Sequence, residues 1–286
     1  MPVVVVTDSS SRLPKSVADH YGIRQVPLHL SLDGADYREG VDAIPPDLIT
    51  TPGVTTSGAN PQDLTDAFDE AIAASDGDGV VAVHMSRRLS GTWSAARLAA
   101  EKFSGLVRVV DSRSVGLAVG FTAIAAAQAA RTDADRDRVY ESAIREAATV
   151  DSLLCVQQLD NLRNSGRISA ASKMLGSALA IKPILHMVEG TLALRERHRT
   201  FSKAVQKMVD GAVESAAGRA VTVGIQHCDA PEAAADLAEQ LRSRLRMVTD
   251  EITVDLGPVL GCHVGPGAVG VVIASHLEAI EGIDTV

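Results

Sequence analysis

Three apolar runs in this chain each end in a cluster of hydroxyls. Residues 3–6 run into Thr7-Asp8-Ser9-Ser10-Ser11, residues 80–83 into Ser86-Arg87-Arg88-Leu89-Ser90-Gly91-Thr92, and residues 106–110 into Asp111-Ser112-Arg113-Ser114. At the start of a helix, free backbone N–H groups and the positive dipole end favour an anion. Ser90 or Thr92 would add a hydroxyl donor there, and Gly91 permits close backbone approach. The same Ser90 could equally serve as a helix N-cap. Thr55-Thr56-Ser57-Gly58 is a second hydroxyl group ahead of a helix, again cap or ligand. Asp8 is the type of residue used for phosphoryl acceptance or metal binding. Yet the spacing D-x-D is absent, and an Asp there equally bonds nearby backbone N–H groups in a turn.

Two further candidates lie in the second half. Asn164-Ser165-Gly166-Arg167 places an Arg after a glycine turn, where it could clamp a carboxylate or phosphate bidentately or sit in a surface ion pair. Gly257, Gly261, Gly265 and Gly267, with Pro258 and Pro266, surround His263 with an unusual backbone. Cys262 beside it reads as packing rather than as a nucleophile. G-x-S-x-G is absent, and so is the G-x-x-x-x-G-K-[ST] loop that independent use of ATP would need.

Composition narrows the classes. The 286 residues are 46% hydrophobic and 22% charged, which is globular usage with enough apolar surface for a sizeable core. Aromatics are 3% and the net charge is −9, so a base-stacking surface and a basic nucleic-acid face are not expected. The stretch Arg195-Glu196-Arg197-His198-Arg199 is a local exception and reads as solvated polar surface. The three cysteines are far apart and form no C-x-x-C pair. That spacing excludes a disulfide framework and a zinc cluster and fits a reducing compartment. No metal or cofactor is expected. With no signal-peptide pattern and no run near the ~20 apolar residues of a membrane span, the expected location is cytoplasmic.

The elements that must position these residues alternate in the first half. Short β-branched runs followed by helical patterns predict a doubly wound, mostly parallel sheet whose ligands sit beyond the strand carboxyl ends. Helices are predicted near 14–21, 62–74, 92–103, 116–131 and 133–149. Residues 23–32 read as one extended segment, 55–61 as a loop. After residue 150 the texture changes to hairpins mixed with helices, with 172–180 a small-residue helix and 257–267 an irregular glycine-rich segment. The expectation is an N-terminal α/β domain, 1–150, and a C-terminal α+β domain, 151–286, with a mixed or antiparallel sheet and the ligand between them.

The chain resembles the DegV family of fatty-acid-binding proteins. The resemblance rests on motifs in family order: Thr7-Asp8-Ser9-Ser10; Thr56-Ser57 followed by Pro61; Leu89-Ser90-Gly91-Thr92-Trp93; Val110-Asp111-Ser112; Leu159-x-x-Leu162-Arg163-x-x-Gly166-Arg167-Ile168; Lys182-Pro183-Ile184-Leu185; and His263-x-Gly265-Pro266-Gly267-Ala268-x-Gly270. Each is weak alone, and the ordered set is specific. It implies a two-domain fold holding a long-chain fatty acid such as palmitate. Thr56 and Ser90 would hold the carboxylate, with Ser57, Gly91 and Thr92 beside them in the ligand site, and Arg167 and His263 would steer or neutralise the reacting carboxylate and phosphate. Several members of the family are the binding subunit of a two-component fatty acid kinase, so a separate ATP-using kinase subunit is an implied partner. Met174, Leu175, Leu179, Ile181 and Ile184 are candidate tunnel residues. The chain departs from the family where Gly58-Ala59-Asn60 replaces Gln-Pro-Ser, which could loosen that loop, and where Ser165 replaces the first glycine of Gly-Gly-Arg-Ile. Two other readings stand beside this one: a self-contained phosphotransferase or hydrolase using Asp8, Ser90 or His263, and a lipid-responsive regulatory protein.

Overall fold

The computed structural model describes residues 3–169 and 181–283. The predicted helix 172–180 and the tunnel candidates Met174, Leu175 and Leu179 lie outside the described residues.

Strand β1 (Val4–Asp8) leads through a single 3-10 turn to helix α1 (Lys15–Tyr21). Strands β2 (Arg24–Val26), β3 (His29–Leu32), β4 (Ala35–Arg38) and β5 (Thr55–Ser57) precede helix α2 (Pro61–Ala74). Then follow β6 (Val80–His84), α3 (Thr92–Ala100), β7 (Val107–Asp111), α4 (Leu117–Arg131) and α5 (Arg136–Thr149). The first sheet has the order β2-β1-β6-β7, and all its pairings are parallel. Buried Val and Ala fill both its faces, as a parallel sheet covered on both sides requires. Helices α2 and α3 cover one face, and α4 and α5 the other.

The segment 23–32, expected as one strand, is divided. Its first part joins the parallel sheet, and its second part starts a separate antiparallel sheet of order β4-β3-β5. Residues 55–57, expected as loop, are the edge strand of that small sheet. Their partner is β3, some 24 residues earlier, so no local pattern marks the pairing.

The second half supplies β8 (Asp151–Cys155), α6 (Asp160–Asn164), β9 (Lys182–Val188), β10 (Thr191–His198), α7 (Phe201–Ala216), β11 (Val221–Cys228), α8 (Pro231–Arg244), β12 (Val248–Asp255), α9 (Gly257–Val264) and β13 (Ala268–Ala274). The sheet order is β10-β9-β8-β13-β11-β12; β11 and β12 are parallel and the other neighbours antiparallel. Helices α7 and α8 cover one face. On that side Leu153, Val223, Ile225, Val269 and Val271 form the core with Met208 and Leu237. Ile184 packs in this core too, so it is not free to line a tunnel.

Helix α4 packs on the other face of the second sheet as well as on the first. Its residues from Leu117 to Ala127 are buried, with Gln128 the first half-exposed position. A helix apolar all round is a buried helix. A glycine at 224 lets it approach: a Cβ there would meet Leu117 and Phe121 at 3.0 Å. Two sheets thus share one central helix, and the space beyond its N-terminus is bounded by both halves of the chain.

Candidate functional site

At that place the structure opens a cleft of about 830 Å³, counting the part open to solvent. Thr56, Ser57, Ser90, Arg167 and His263 line it together. Gly91 and Thr92 do not: Gly91 is exposed, and Thr92 is buried behind Ser90. Ile181 and Ile184 are also outside the lining, whose apolar part includes Leu28, Met85, Leu154, Leu162, Leu192 and Leu260.

Thr56 stands opposite Leu30 in the small sheet, half-buried between exposed Thr55 and Ser57. Its Oγ1 lies 2.8 Å from His263 Nε2, which joins the two halves of the chain across the cleft. His263 sits on α9, a regular helix where an irregular loop was expected. Pro258 lies in the first turn, where a missing N–H costs nothing. The glycines are contact points of the helix rather than breaks in it. A Cβ at Gly261 would come within 3.3 Å of the Cys228 sulfur. Gly257, at φ +73, passes so close to Arg12 and Glu39 that a Cβ would sit 2.5 Å from the guanidinium.

That contact fixes the helix. Buried Glu39 accepts from the Val259 N–H at 3.0 Å and from the Ser9 hydroxyl at 2.6 Å, and its Oε1 lies 3.6 Å from Arg12 Nη1. Desolvation raises the Glu39 pKa, while Arg12, Ser9 and the Val259 N–H oppose that rise. On α9, Val259, Leu260, His263 and Val264 share one face by helical spacing, and all four line the cleft.

Ser90 does both things its sequence position allowed. Its Oγ accepts from the Thr92 N–H at 3.2 Å, as a cap does, and it also faces the cleft. The Thr92 hydroxyl, 2.9 Å away, accepts from the Ala59 N–H. If Thr92 donates to Ser90, the Ser90 proton is left to point into the cleft. The Gly58-Ala59-Asn60 departure does not loosen this loop. A Cβ at Gly58 would sit 2.7 Å from Thr92 Oγ1 and 3.0 Å from Ser90 Oγ, so glycine allows the close approach. Asn60 caps α2 through the Gln62 N–H, ahead of Pro61 in the first turn.

Arg167 follows Gly166, which takes φ +74 at the end of α6. Ser165 adopts φ −77, an ordinary right-handed conformation, so replacing a glycine there costs nothing. The guanidinium is positioned by the Leu89 carbonyl (Nε, 3.3 Å) and the Ser165 carbonyl (Nη1, 2.6 Å). Among the described residues no carboxylate pairs with it. Burial and then the nearby Arg167 charge bring the His263 pKa down to about 4, so at neutral pH the imidazole is uncharged. Among the described residues the lining contains no Asp or Glu, and Arg167 is its fixed charge.

Asp8 is committed elsewhere. Its Oδ2 accepts from the Met85 N–H and lies 2.9 Å from His84 Nδ1, and its Oδ1 takes the Ser10 N–H and hydroxyl. The group is fully buried and outside the cleft lining. Ser90 has no histidine partner, since His263 bonds Thr56. Burial raises the Cys262 thiol to about 11, away from nucleophilic use at neutral pH. Among the described residues no three His, Cys, Asp or Glu side chains are placed to hold a metal.

Sequence reasoning missed Gln226. It lies at the end of an apolar strand, and its Oε1 accepts from the Leu117 N–H at 2.8 Å, capping α4. The available signal was parity: Thr222, Gly224 and Gln226 alternate with Val221, Val223 and Ile225, so Gln226 shares the α4 face.

An α/β protein with two sheets around one buried helix, and a mainly apolar cleft with Arg167 at one end, fits a class of small-molecule binder. The chain belongs to the DegV family: the family model, described as "Uncharacterised protein, DegV family", matches residues 2–276. A DegV domain-containing protein of Mycobacterium tuberculosis is 46% identical over 273 residues, covering 96% of this chain and 97% of that one. The crystal structure of a DegV family protein from Corynebacterium glutamicum superposes with a TM-score of 0.86 at 35% identity, covering 98% of this chain and all of that one. A DegV family protein from Thermus thermophilus, whose structure was described for its fatty acid binding, superposes at 0.89 with 31% identity, covering 96% of this chain and all of that one.

Proposed function

We propose that this protein binds a long-chain fatty acid, with its carboxylate between Arg167, Thr56 and Ser90 and its tail along the apolar walls. The observation that carries this reading is the charge pattern of the cleft. Among the described residues it has one guanidinium without a carboxylate partner, hydroxyls beside it, no acidic side chain, and mostly leucine and valine over the rest. That pattern suits a monoanion with a hydrocarbon tail.

Each buried methylene contributes about 0.8 kcal/mol of gross affinity. A carboxylate takes hydrogen bonds from hydroxyls and Arg without covalent chemistry. His263, neutral above about pH 5, keeps its place through its bond to Thr56. With its Nε2 proton donated to Thr56, the Thr56 hydroxyl is free to donate to the carboxylate. Ser57 lies at the same rim, while Thr92 holds Ser90 from behind. The similarity to the Thermus thermophilus protein, described for its fatty acid binding, supports a fatty acid as the ligand.

In this reading the protein is a cytoplasmic carrier, without catalytic groups of its own, that presents the carboxylate to a separate ATP-dependent kinase for acyl-phosphate formation. Mass spectrometry of an organic extract of the purified protein tests the core of the reading. One equivalent of a long-chain acid is expected. Protein free of lipid that also fails to take up added palmitate overturns the assignment.

A further inference from the structure

Gln226 sets a second polar point in the cleft, away from the Thr56–His263 pair. It is 3% exposed. Its Oε1 is taken by the Leu117 N–H. Its Nε2 makes no hydrogen bond among the described residues, although the side chain forms part of the cleft wall.

The surrounding residues hold that amide in place. Gly116, at φ +71, lies against it so closely that a Cβ would fall 2.1 Å from Oε1. Across the sheet, Gln226 stands opposite Gly270, and Gly270 opposite Leu154. A Cβ at Gly270 would meet the Leu153 carbonyl oxygen at 2.9 Å and lie 3.6 Å from Gln226 Nε2, so glycine keeps the floor low beside the amide. A row of Leu154, Gly270 and Gln226 therefore offers an apolar wall, a gap and a fixed donor. The amide nitrogen can only donate, so the group that meets Nε2 must be an acceptor. A plain hydrocarbon chain laid over it would leave a buried N–H without a partner, which is costly.

We propose that Gln226 Nε2 is a specificity group for acyl chains that carry an in-chain oxygen, as a hydroxyl or a ketone, rather than for plain saturated chains. This rests on the fatty-acid reading above and narrows its substrate class. A site that hydrogen-bonds a substrate oxygen discriminates against the analogue lacking it, because its own polar group is then stranded.

The test is a binding series on delipidated protein: palmitate, then monohydroxy- and monooxo-palmitates with the oxygen moved along the chain. One narrow range of positions should bind about tenfold or more tightly than palmitate. The preference should collapse towards a ratio of one in Gln226→Leu. In Gln226→Glu, which keeps an acceptor for the Leu117 N–H but loses the donor, the oxo-acid preference should also vanish. Equal affinity of the native protein for palmitate and every oxygenated acid overturns this inference and leaves the fatty-acid reading standing. So does a preference that survives both substitutions. Failure of all the acids to bind, palmitate included, overturns both.

Discussion

Ser90 and Glu146 show how far single side chains can be read. Ser90 was open between cap and ligand contact, and its placement leaves both roles available to it. The oxygen that accepts from the Thr92 N–H belongs to a hydroxyl that also reaches the cleft. Ser90→Ala removes one donor to a charged acceptor, a bond worth about 1.5–3 kcal/mol. Palmitate affinity measured by calorimetry should fall at least about tenfold, and unchanged affinity removes Ser90 from the site. Glu146 is a different case. On α5 it is fully buried, neither carboxyl oxygen has a hydrogen-bond partner, and burial raises its pKa to about 7. A folded-state pKa above the unfolded value of 4.5 gives stability that is complete below about pH 4.5 and is lost as pH rises through 7. At about 1.36 kcal/mol per pKa unit the loss is of order 3 kcal/mol. Urea unfolding at pH 5 and pH 8 should show that loss in the native protein and a flatter profile in Glu146→Gln. Equal profiles would contradict it. Helical spacing puts Glu146 on the face of Val139 and Ala143, but how deeply α5 lies against α4 there is not marked in the sequence.

Among the elements, strands with continuous apolar runs and helices with clear periodicity were legible in the sequence. The parallel strands β1, β6 and β7 and the helix α4 fall where the pattern put them. The strand β5 and the helix α9 were not legible, and these two carry Thr56 and His263. Thr-Thr-Ser has no apolar run, and its strand character comes from pairing with β3. The helix α9 contains Gly257 and Gly261, which read as breakers, but the glycines are there because Arg12, Glu39 and Cys228 lie against the helix. The motif order supplied the residues where local pattern could not supply their conformation. Gly257→Ala tests the reason given for that glycine. It forces a side chain into a left-handed conformation and against Arg12 and Glu39. Stability should drop by about 2 kcal/mol or more, with weaker palmitate binding as His263 shifts. A thermal midpoint and an affinity both equal to those of the native protein would remove the Glu39–Val259 contact from the account.

Taken as a whole, the molecule closes one cleft from two halves. Ser86 donates to the Gly190 carbonyl at 2.7 Å, Arg12 Nε to the Asp255 carbonyl at 2.9 Å, and Thr56 meets His263. Each contact ties the first half of the chain to the second, and α4 lies between the sheets. Among the described residues no helix is long and apolar enough to cross a membrane. The cleft between the halves is the place the fatty-acid reading fills. Its most direct test separates head from tail: delipidated protein titrated with palmitate and with methyl palmitate, which keeps the chain and removes the charge. Palmitate should bind one-to-one and the ester at least about tenfold more weakly, because Arg167 and the hydroxyls then face no anion. Equal affinity for the acid and its ester would contradict carboxylate recognition by this site.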